Sequence, residues 1–422
     1  MKKVALSLAG VLAAAAFAPE ASALPVFARQ TGAACSACHF QHFPLLNAFG
    51  RSFKSSGYTQ ISQAQVEGEH LSIPTTLNFG ALVTAGVENA TGNSSNIFVP
   101  GTGGEMQLFW GGRINDFAGF LSEFGTAAPA GAAGGKMLIL PEIAGDIRGG
   151  LVAYSIGQDA AGAFELLNTG ATSIHRLMGR TGFGGGVIAT PAAGGGHIEV
   201  TSARQYVAPE LGATGASVVV NNPNFFVNVG KYVNVGNAVV GGTQGAGLPF
   251  MYIRAAGMFD VAGWDVAAGV QNWSGTTNNP ALGAIGAIVA QKATVVDAQA
   301  QGEVAGLPVG IYASYGRSAA SNAVETNQFN AALGTRTSFN TAVEVGVIPG
   351  HATVQAAFRI GNNGTPALGG DNGFMLGATY ELSQNQELTF HYTTQSGSAW
   401  NAVGGVTPAG KSVYTLLLET LF

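Results

Sequence analysis

Much of the chain alternates. From His351 to Ile360, Ala352, Val354, Ala356, Phe358 and Ile360 fall on one side, and His351, Thr353, Gln355 and Arg359 on the other. From Glu387 onward, Leu388, Phe390 and Tyr392 oppose Thr389, His391 and Thr393; just before, Phe374, Leu376, Ala378 and Tyr380 oppose Met375, Gly377, Thr379 and Glu381. Trp264, Val266, Ala268 and Val270 alternate with Asp265 and Gln271, and Val343, Val345 and Val347 flank Glu344 in the same way. A period of two places successive side chains on opposite faces of a strand. Each segment therefore reads as a β-strand with one apolar face and one polar or small face. Clusters such as Gly361-Asn362-Asn363-Gly364 and Gly369-Gly370-Asp371-Asn372-Gly373 supply the turns between them.

Two facts turn these strands toward a membrane. Charged residues make up 10% of the chain against 47% hydrophobic, well below the roughly 25% charge of a soluble domain. Beyond the N-terminus no segment offers the run of about 18 uncharged apolar residues that a spanning helix needs. The other fold that satisfies every backbone group in lipid is a closed β-barrel. A soluble β-sandwich would alternate similarly, but three features favour the barrel. Turn-bounded strands run from about Leu71 to the end. Trp110, Tyr315, Tyr380 and Tyr392 sit near apparent strand ends, as interfacial girdles do. The chain also closes on a strand carrying Tyr414, Leu416, Leu418, Thr420 and Phe422 on one face. About 350 residues, at somewhat over twenty per strand and its connections, give an even number near 16, with 14 and 18 open. The Gly- and Ala-rich stretches Thr126 to Lys136 and Gly182 to Gly196 read as long loops. The second is not a phosphate loop, because no Lys-Ser or Lys-Thr follows Gly182 to Gly186. A net charge of −5 without a basic block excludes nucleic acid as a partner.

The N-terminus reads as a secretory signal peptide over residues 1–23. Lys2 and Lys3 precede an apolar run from Val4 to about Phe17, and Ala21-Ser22-Ala23 forms the cleavage site. An exported barrel belongs in the outer membrane of a Gram-negative bacterium. The two cysteines of the chain lie in Cys35-Ser36-Ala37-Cys38-His39. C-x-x-C-H reads as the attachment site of one covalently bound haem c. Cys35 and Cys38 supply two thioethers on one porphyrin edge and His39 the proximal nitrogen; a plain disulfide is the alternative. Pro44 suits a first helical turn, and Leu45, Leu46, Phe49 and Phe53 then fall at helical spacing before Gly57. That stripe, with Phe27 and Phe40, is expected to cover a haem face or to pack on the barrel wall. Arg29, Arg51 and Lys54 are candidates to offset the propionates, or are solvated charges. About forty residues cannot bury a haem alone. The segment 24–69 is therefore expected to plug a barrel formed by residues 70–422. For the sixth ligand, His42 shares a face with His39 and lacks the reach, His70 has it, and Met106 is a weaker candidate.

The stretch from Leu24 to Gly32, the Cys35-to-His39 motif and the segment from Pro44 to Lys54 resemble the fused monohaem cytochrome-porins of the outer membrane of iron-oxidising bacteria. The resemblance is specific from Leu24 to about Thr59 and architectural beyond. It implies an electron-transfer oxidoreductase that oxidises extracellular ferrous iron at the haem held by Cys35, Cys38 and His39. The electron then passes to a periplasmic cytochrome or cupredoxin, with membrane lipid as the other partner. Iron-facing sites would use oxygen ligands, for which Glu105, Glu123, Asp146 and Asp159 are candidates beside a reading as solvated loop acids. Two further readings stand beside this one: a diffusion porin gated by a haem plug, and the barrel component of another extracellular electron-transfer conduit.

Overall fold

The computed structural model describes residues 25–69, 71–75, 78–92, 96–125, 134–157, 159–170, 188–189, 196–197, 200, 202–209, 212–234, 247–278, 288–402 and 408–422. The expected signal peptide, His70 and most of the two expected long loops lie outside them.

Among the described residues, sixteen long antiparallel strands form a closed barrel. They are β1 (Phe79–Ala90), β2 (Met106–Asn115), β3 (Ala118–Gly125), β4 (Gly134–Ile139), β5 (Ile147–Ile156), β6 (Ala213–Asn222), β7 (Phe225–Val233) and β8 (Phe250–Val261). The wall continues through β9 (Trp264–Thr277), β10 (Ala293–Val304), β11 (Leu307–Ser318), β12 (Arg336–Ile348), β13 (Ala352–Asn362), β14 (Asn372–Ser383), β15 (Gln386–Ser396) and β16 (Ser412–Leu421). The last strand pairs with the first, from Val413 opposite Ala90 to Leu421 opposite Leu82, so no wall edge is left unpaired. The wall begins at Phe79 rather than at residue 70; a separate hairpin, Gln65–Gly68 with Leu71–Pro74, lies between plug and barrel. Gly134 to Lys136, expected in a loop, opens β4.

The connections alternate in length. Tight turns join Asn115 to Ala118, Asn222 to Phe225, Val261 to Trp264, Val304 to Leu307, Ile348 to Ala352 and Ser383 to Gln386. At the other mouth the connections are long, the longest joining β5 to β6. Short turns face the periplasm in outer-membrane barrels, which orients this one.

The alternation read in the sequence is the inside and outside of this wall. On β13, Val354, Phe358 and Ile360 are exposed on the outer face, while Thr353, Gln355 and Arg359 are buried inside. Trp110, Tyr315, Tyr380 and Tyr392 also lie on the outer face. A sandwich would bury the apolar side. Here Arg254, Gln271 and Asn340 are buried toward the axis and the aliphatics face outward, the inversion that lipid imposes. A cation on the lipid face costs about 2–4 kcal/mol at the bilayer midplane. The chain is thus a porin-like outer-membrane barrel.

Two bodies enter the lumen. Part of the β5–β6 connection, residues 159–170 and the short helix Ala203–Val207, folds inward and is buried throughout. It is fastened to the wall by Arg254 of β8, which sits between Glu165 of the inserted segment (2.9 Å) and Asp297 of β10 (2.6 Å). From the short-turn mouth comes the N-terminal segment, with α1 (Pro25–Thr31), α2 (Cys35–Cys38) and α3 (Ala48–Ser55). The two bodies meet where Asn168 exchanges hydrogen bonds with the backbone of Leu46, at 2.7 and 3.0 Å.

Candidate functional site

The plug is anchored by one buried amide. Gln30, fully buried at the end of α1, donates from Nε2 to the carbonyls of Tyr58 (2.6 Å) and Gln60 (2.7 Å). Its Oε1 accepts from Asn78 and from the backbone N–H of Arg113 on β2. Every hydrogen-bonding direction of the side chain joins plug to wall or plug to itself. Beside it, Phe27 stacks on Tyr58 at 4.6 Å and meets Phe53 edge-on at 5.0 Å.

The stripe of Leu45, Leu46, Phe49 and Phe53 is not one helical face. The helix starts at Ala48, because Asn47 caps it by accepting from the Gly50 N–H at 3.0 Å. Pro44 therefore lies before the helix, and Leu46 pairs in extended form with His39. Leu45 packs with Tyr312, Ala342 and Met375, with Phe40 against that group, while Phe53 joins Phe27 and Tyr58 and Phe49 is 46% exposed.

The motif residues lie together on a single turn, α2, against the short-turn mouth. Cys35 Sγ donates to the Gln384 carbonyl in the turn between β14 and β15 (3.0 Å). The Cys38 carbonyl accepts from the Asn47 N–H at 3.0 Å, and Gly50 packs so close that a Cβ there would stand 2.2 Å from that carbonyl. Both thiols are free and buried. Burial, with Glu381 next, pushes the Cys35 thiol up to about 12, and burial raises Cys38 as well. His39 is buried, and its Nδ1 faces the Leu45 carbonyl at 3.2 Å. A carbonyl only accepts, so the proton sits on Nδ1 and the Nε2 lone pair is left for a metal, the usual orientation of a ligating histidine. Burial holds His39 down to about 4, which keeps that lone pair available at neutral pH.

His42 differs. Its Nε2 meets Glu344 Oε2 of β12 at 2.8 Å, while Nδ1 faces the Phe43 carbonyl at 2.7 Å and Glu387 Oε2 of β15 at 3.5 Å. Burial alone would lower it, but the Glu344 and Glu387 carboxylates outweigh burial and hold the imidazolium well above the ordinary histidine value. Both nitrogens are committed as donors, so His42 clamps the plug to two wall strands and is not free to ligate.

The donor set fits a c-type haem: two thiols one turn apart and an imidazole with its second nitrogen oriented. Around the motif, the Gln41 amide, Gln384 Oε1, Glu344 Oε1 and Arg51 Nη1 are buried without a hydrogen-bond partner among the described residues. Such groups await a polar occupant. Arg51 spends Nη2 on Asp265 of β9, so one of its arms remains for a propionate. Arg29 is exposed and donates to the Phe79 carbonyl. Lys54 turns inward toward Glu165, and burial lowers it.

The remaining candidates disperse. Met106 begins β2 on the exposed outer face, where it cannot reach an iron held at the plug; a strand's parity, not its proximity in sequence, decides this. Asp159 is buried 3.9 Å from Arg204 in the inserted segment, Asp146 lies in a turn at the short-turn mouth, and Glu105 and Glu123 lie toward the other. Among the described residues no group of three His, Cys, Asp or Glu is placed to hold a metal ion. Sequence reasoning missed Gln30, Glu344 and Glu387. Glu344 and Glu387 carried a signal, as acids on faces destined for the lumen; Gln30 carried none.

No family model and no curated protein matches the chain. Among solved structures it is similar to OmpT of Vibrio cholerae, at 9% identity over 85% of this chain and 100% of that one, with a TM-score of 0.47. It is also similar to the outer membrane channel DcaP of Acinetobacter baumannii, at 10% identity over 82% and 97% of the two chains with a TM-score of 0.47. An anion-selective porin from Comamonas acidovorans shows 13% identity over 82% and 99%, again with a TM-score of 0.47.

Proposed function

We propose that the chain is an outer-membrane monohaem cytochrome-barrel, an oxidoreductase that takes electrons from extracellular ferrous iron and delivers them to a periplasmic carrier. The observation that carries the redox reading is His39: its Nδ1–H is fixed on the Leu45 carbonyl beside two thiols one turn apart. Ferrous iron as donor rests on the resemblance of residues 24–59. When bound, the haem supplies a one-electron iron centre.

The chain's own residues do the rest. Cys35 and Cys38 hold the porphyrin edge, and His39 presents Nε2. Gln30 and the His42 clamp keep the segment seated at the short-turn mouth. The Arg51 arm and the Gln41 amide offer charge and hydrogen bonds to carboxylates. Burial of the motif keeps water from it.

A second reading, a diffusion porin gated by the plug, is supported by the barrel itself. Solute passage then requires the inserted segment or the plug to move, because Arg254, Tyr252 and Asn228 facing the axis are fully buried. Stopped-flow mixing of the purified, haem-loaded protein with excess ferrous iron separates the two. The redox reading expects a c-type spectrum that becomes reduced, and loss of that reduction in His39→Ala. A centre that stays oxidised, together with large ohmic conductance in planar bilayers, supports the porin.

A further inference from the structure

The short-turn mouth carries exposed acids along much of its rim. Asp116, Asp146, Asp260 and Glu303 are exposed in or beside four of its turns, those joining β2 to β3, β4 to β5, β8 to β9 and β10 to β11, and Glu67 is exposed on the hairpin that precedes β1. Of the arginines at this mouth, Arg29 is exposed and donates to the Phe79 carbonyl, and three others are paired with acids. Arg51 is held by Asp265 and Arg148 by Glu142, each at 2.5 Å, and Arg113 is paired with Asp116. With Asp116 so paired, Glu67, Asp146, Asp260 and Glu303 outnumber Arg29. Lys231, Lys292, Arg317, Arg336 and Lys411 instead lie toward the ends of their strands at the long-loop mouth. The short-turn mouth thus exposes more acid than base.

Inside this rim sits an exposed helix face. On α3, Lys54 points into the lumen toward Glu165 and Arg51 to the wall. Ala48, Phe49 and Ser52, on the opposite side by helical spacing, are exposed. Phe49 adjoins Gly50, which touches Cys38. The apolar point of this surface therefore adjoins the haem motif, and the acids surround it at the rim. An apolar centre with an excess of one charge sign on its rim is the arrangement that steers and orients an oppositely charged protein.

We propose that the short-turn mouth is a docking surface for a small soluble electron carrier with a lysine-ringed face, centred on Phe49 and steered by Asp146, Asp260 and Glu303. The proposal names the partner's charge for the redox site above and rests on that reading for its purpose. The surface itself belongs to the polypeptide, so its test does not need the haem.

Full-length protein in nanodiscs of zwitterionic phosphatidylcholine would be titrated with mitochondrial cytochrome c, a lysine-rich probe, and with the same probe after succinylation of its lysines. The expected result is saturable binding of the basic probe, at least about tenfold weaker as salt rises from about 20 mM to about 200 mM. Succinylation should abolish it. Asp146→Lys with Asp260→Lys and Glu303→Lys should weaken it at least about tenfold and create binding of the succinylated probe; heat-modifiable migration on gels confirms that this variant folds. Glu325→Lys, at the opposite mouth, should change nothing. Cys35→Ser with Cys38→Ser should bind as the wild type does, which keeps docking standing even if the redox reading falls. Absence of binding by a haem-loaded protein, equal binding of both probes, indifference to the triple reversal, or loss through Glu325→Lys would each overturn docking while leaving the redox reading intact.

Discussion

Around the wall the strands are fastened by backbone ladders, such as the one from Gln386 opposite Thr420 to Thr394 opposite Ser412. The plug has no such ladder with the wall among the described residues. It is held by individual side chains: Gln30, the Ser55 hydroxyl on Asn221, Arg51 on Asp265, and His42 between Glu344 and Glu387. A ladder is made by backbone and tolerates most substitutions on either face. A side-chain anchor fails when one atom is removed. The barrel should therefore survive changes that release the plug, and the plug's contacts can be tuned without rebuilding the barrel.

The largest effect should come where a single side chain fastens wall strands to the inserted segment. Arg254→Met leaves Glu165 and Asp297 as two buried, uncompensated acids, at a cost of about 3–5 kcal/mol. The urea midpoint of the barrel in detergent, followed by tryptophan fluorescence, should fall accordingly. An unchanged midpoint would show that this network holds nothing.

Gln30→Leu should do the reverse, sparing the barrel and loosening the plug. Each buried partner left unmade costs about 1–3 kcal/mol. Trypsin should then cut faster after Arg51 or Lys54, while the heat-modifiable band of the barrel persists. Simultaneous loss of both would erase the distinction between the two regions.

Asn47→Ala removes the cap of α3 and the bonds that tie its side chain to the Ala37 carbonyl. About 1 kcal/mol is expected, seen as a modest rise in the same trypsin rate. The reactivity of Cys38 toward an alkylating reagent in the haem-free protein should rise with it.

The smallest effect is the pH response of the His42 clamp. Its value in the folded state lies above that of an unfolded histidine. The stabilisation is thus complete below about pH 6.5, the unfolded value, and is lost as pH rises through the raised folded value. Plug release measured by trypsin should quicken on the alkaline side, and His42→Gln should flatten that dependence. A wild-type rate that quickens toward acid would reverse the sign and refute the clamp.

The barrel was legible because lipid enforces a rule with period two on every strand, from Trp264 through Phe422. The grouping of Cys35, Cys38 and His39 was legible because it lies within one short stretch of sequence. The plug's helix was misread because Leu45, Leu46, Phe49 and Phe53 satisfy helical spacing, yet Asn47 captures the N–H of Gly50 and starts the helix later. The clamp made by His42 was hidden, because its partners lie 302 and 345 residues away on β12 and β15, where no local pattern points. The inward course of residues 159–170 was equally hidden, since Glu165 finds Arg254 only once the wall has closed.

The account stands on the plug as the carrier of one haem. Intact mass of the full-length protein, purified from outer membranes of cells competent in c-type cytochrome maturation, tests this most directly. The wild type should carry one covalent haem with neither Cys35 nor Cys38 open to alkylation, and Cys35→Ser with Cys38→Ser should carry none while still migrating as a folded barrel. A wild-type barrel of unmodified mass with both thiols alkylated would contradict the account.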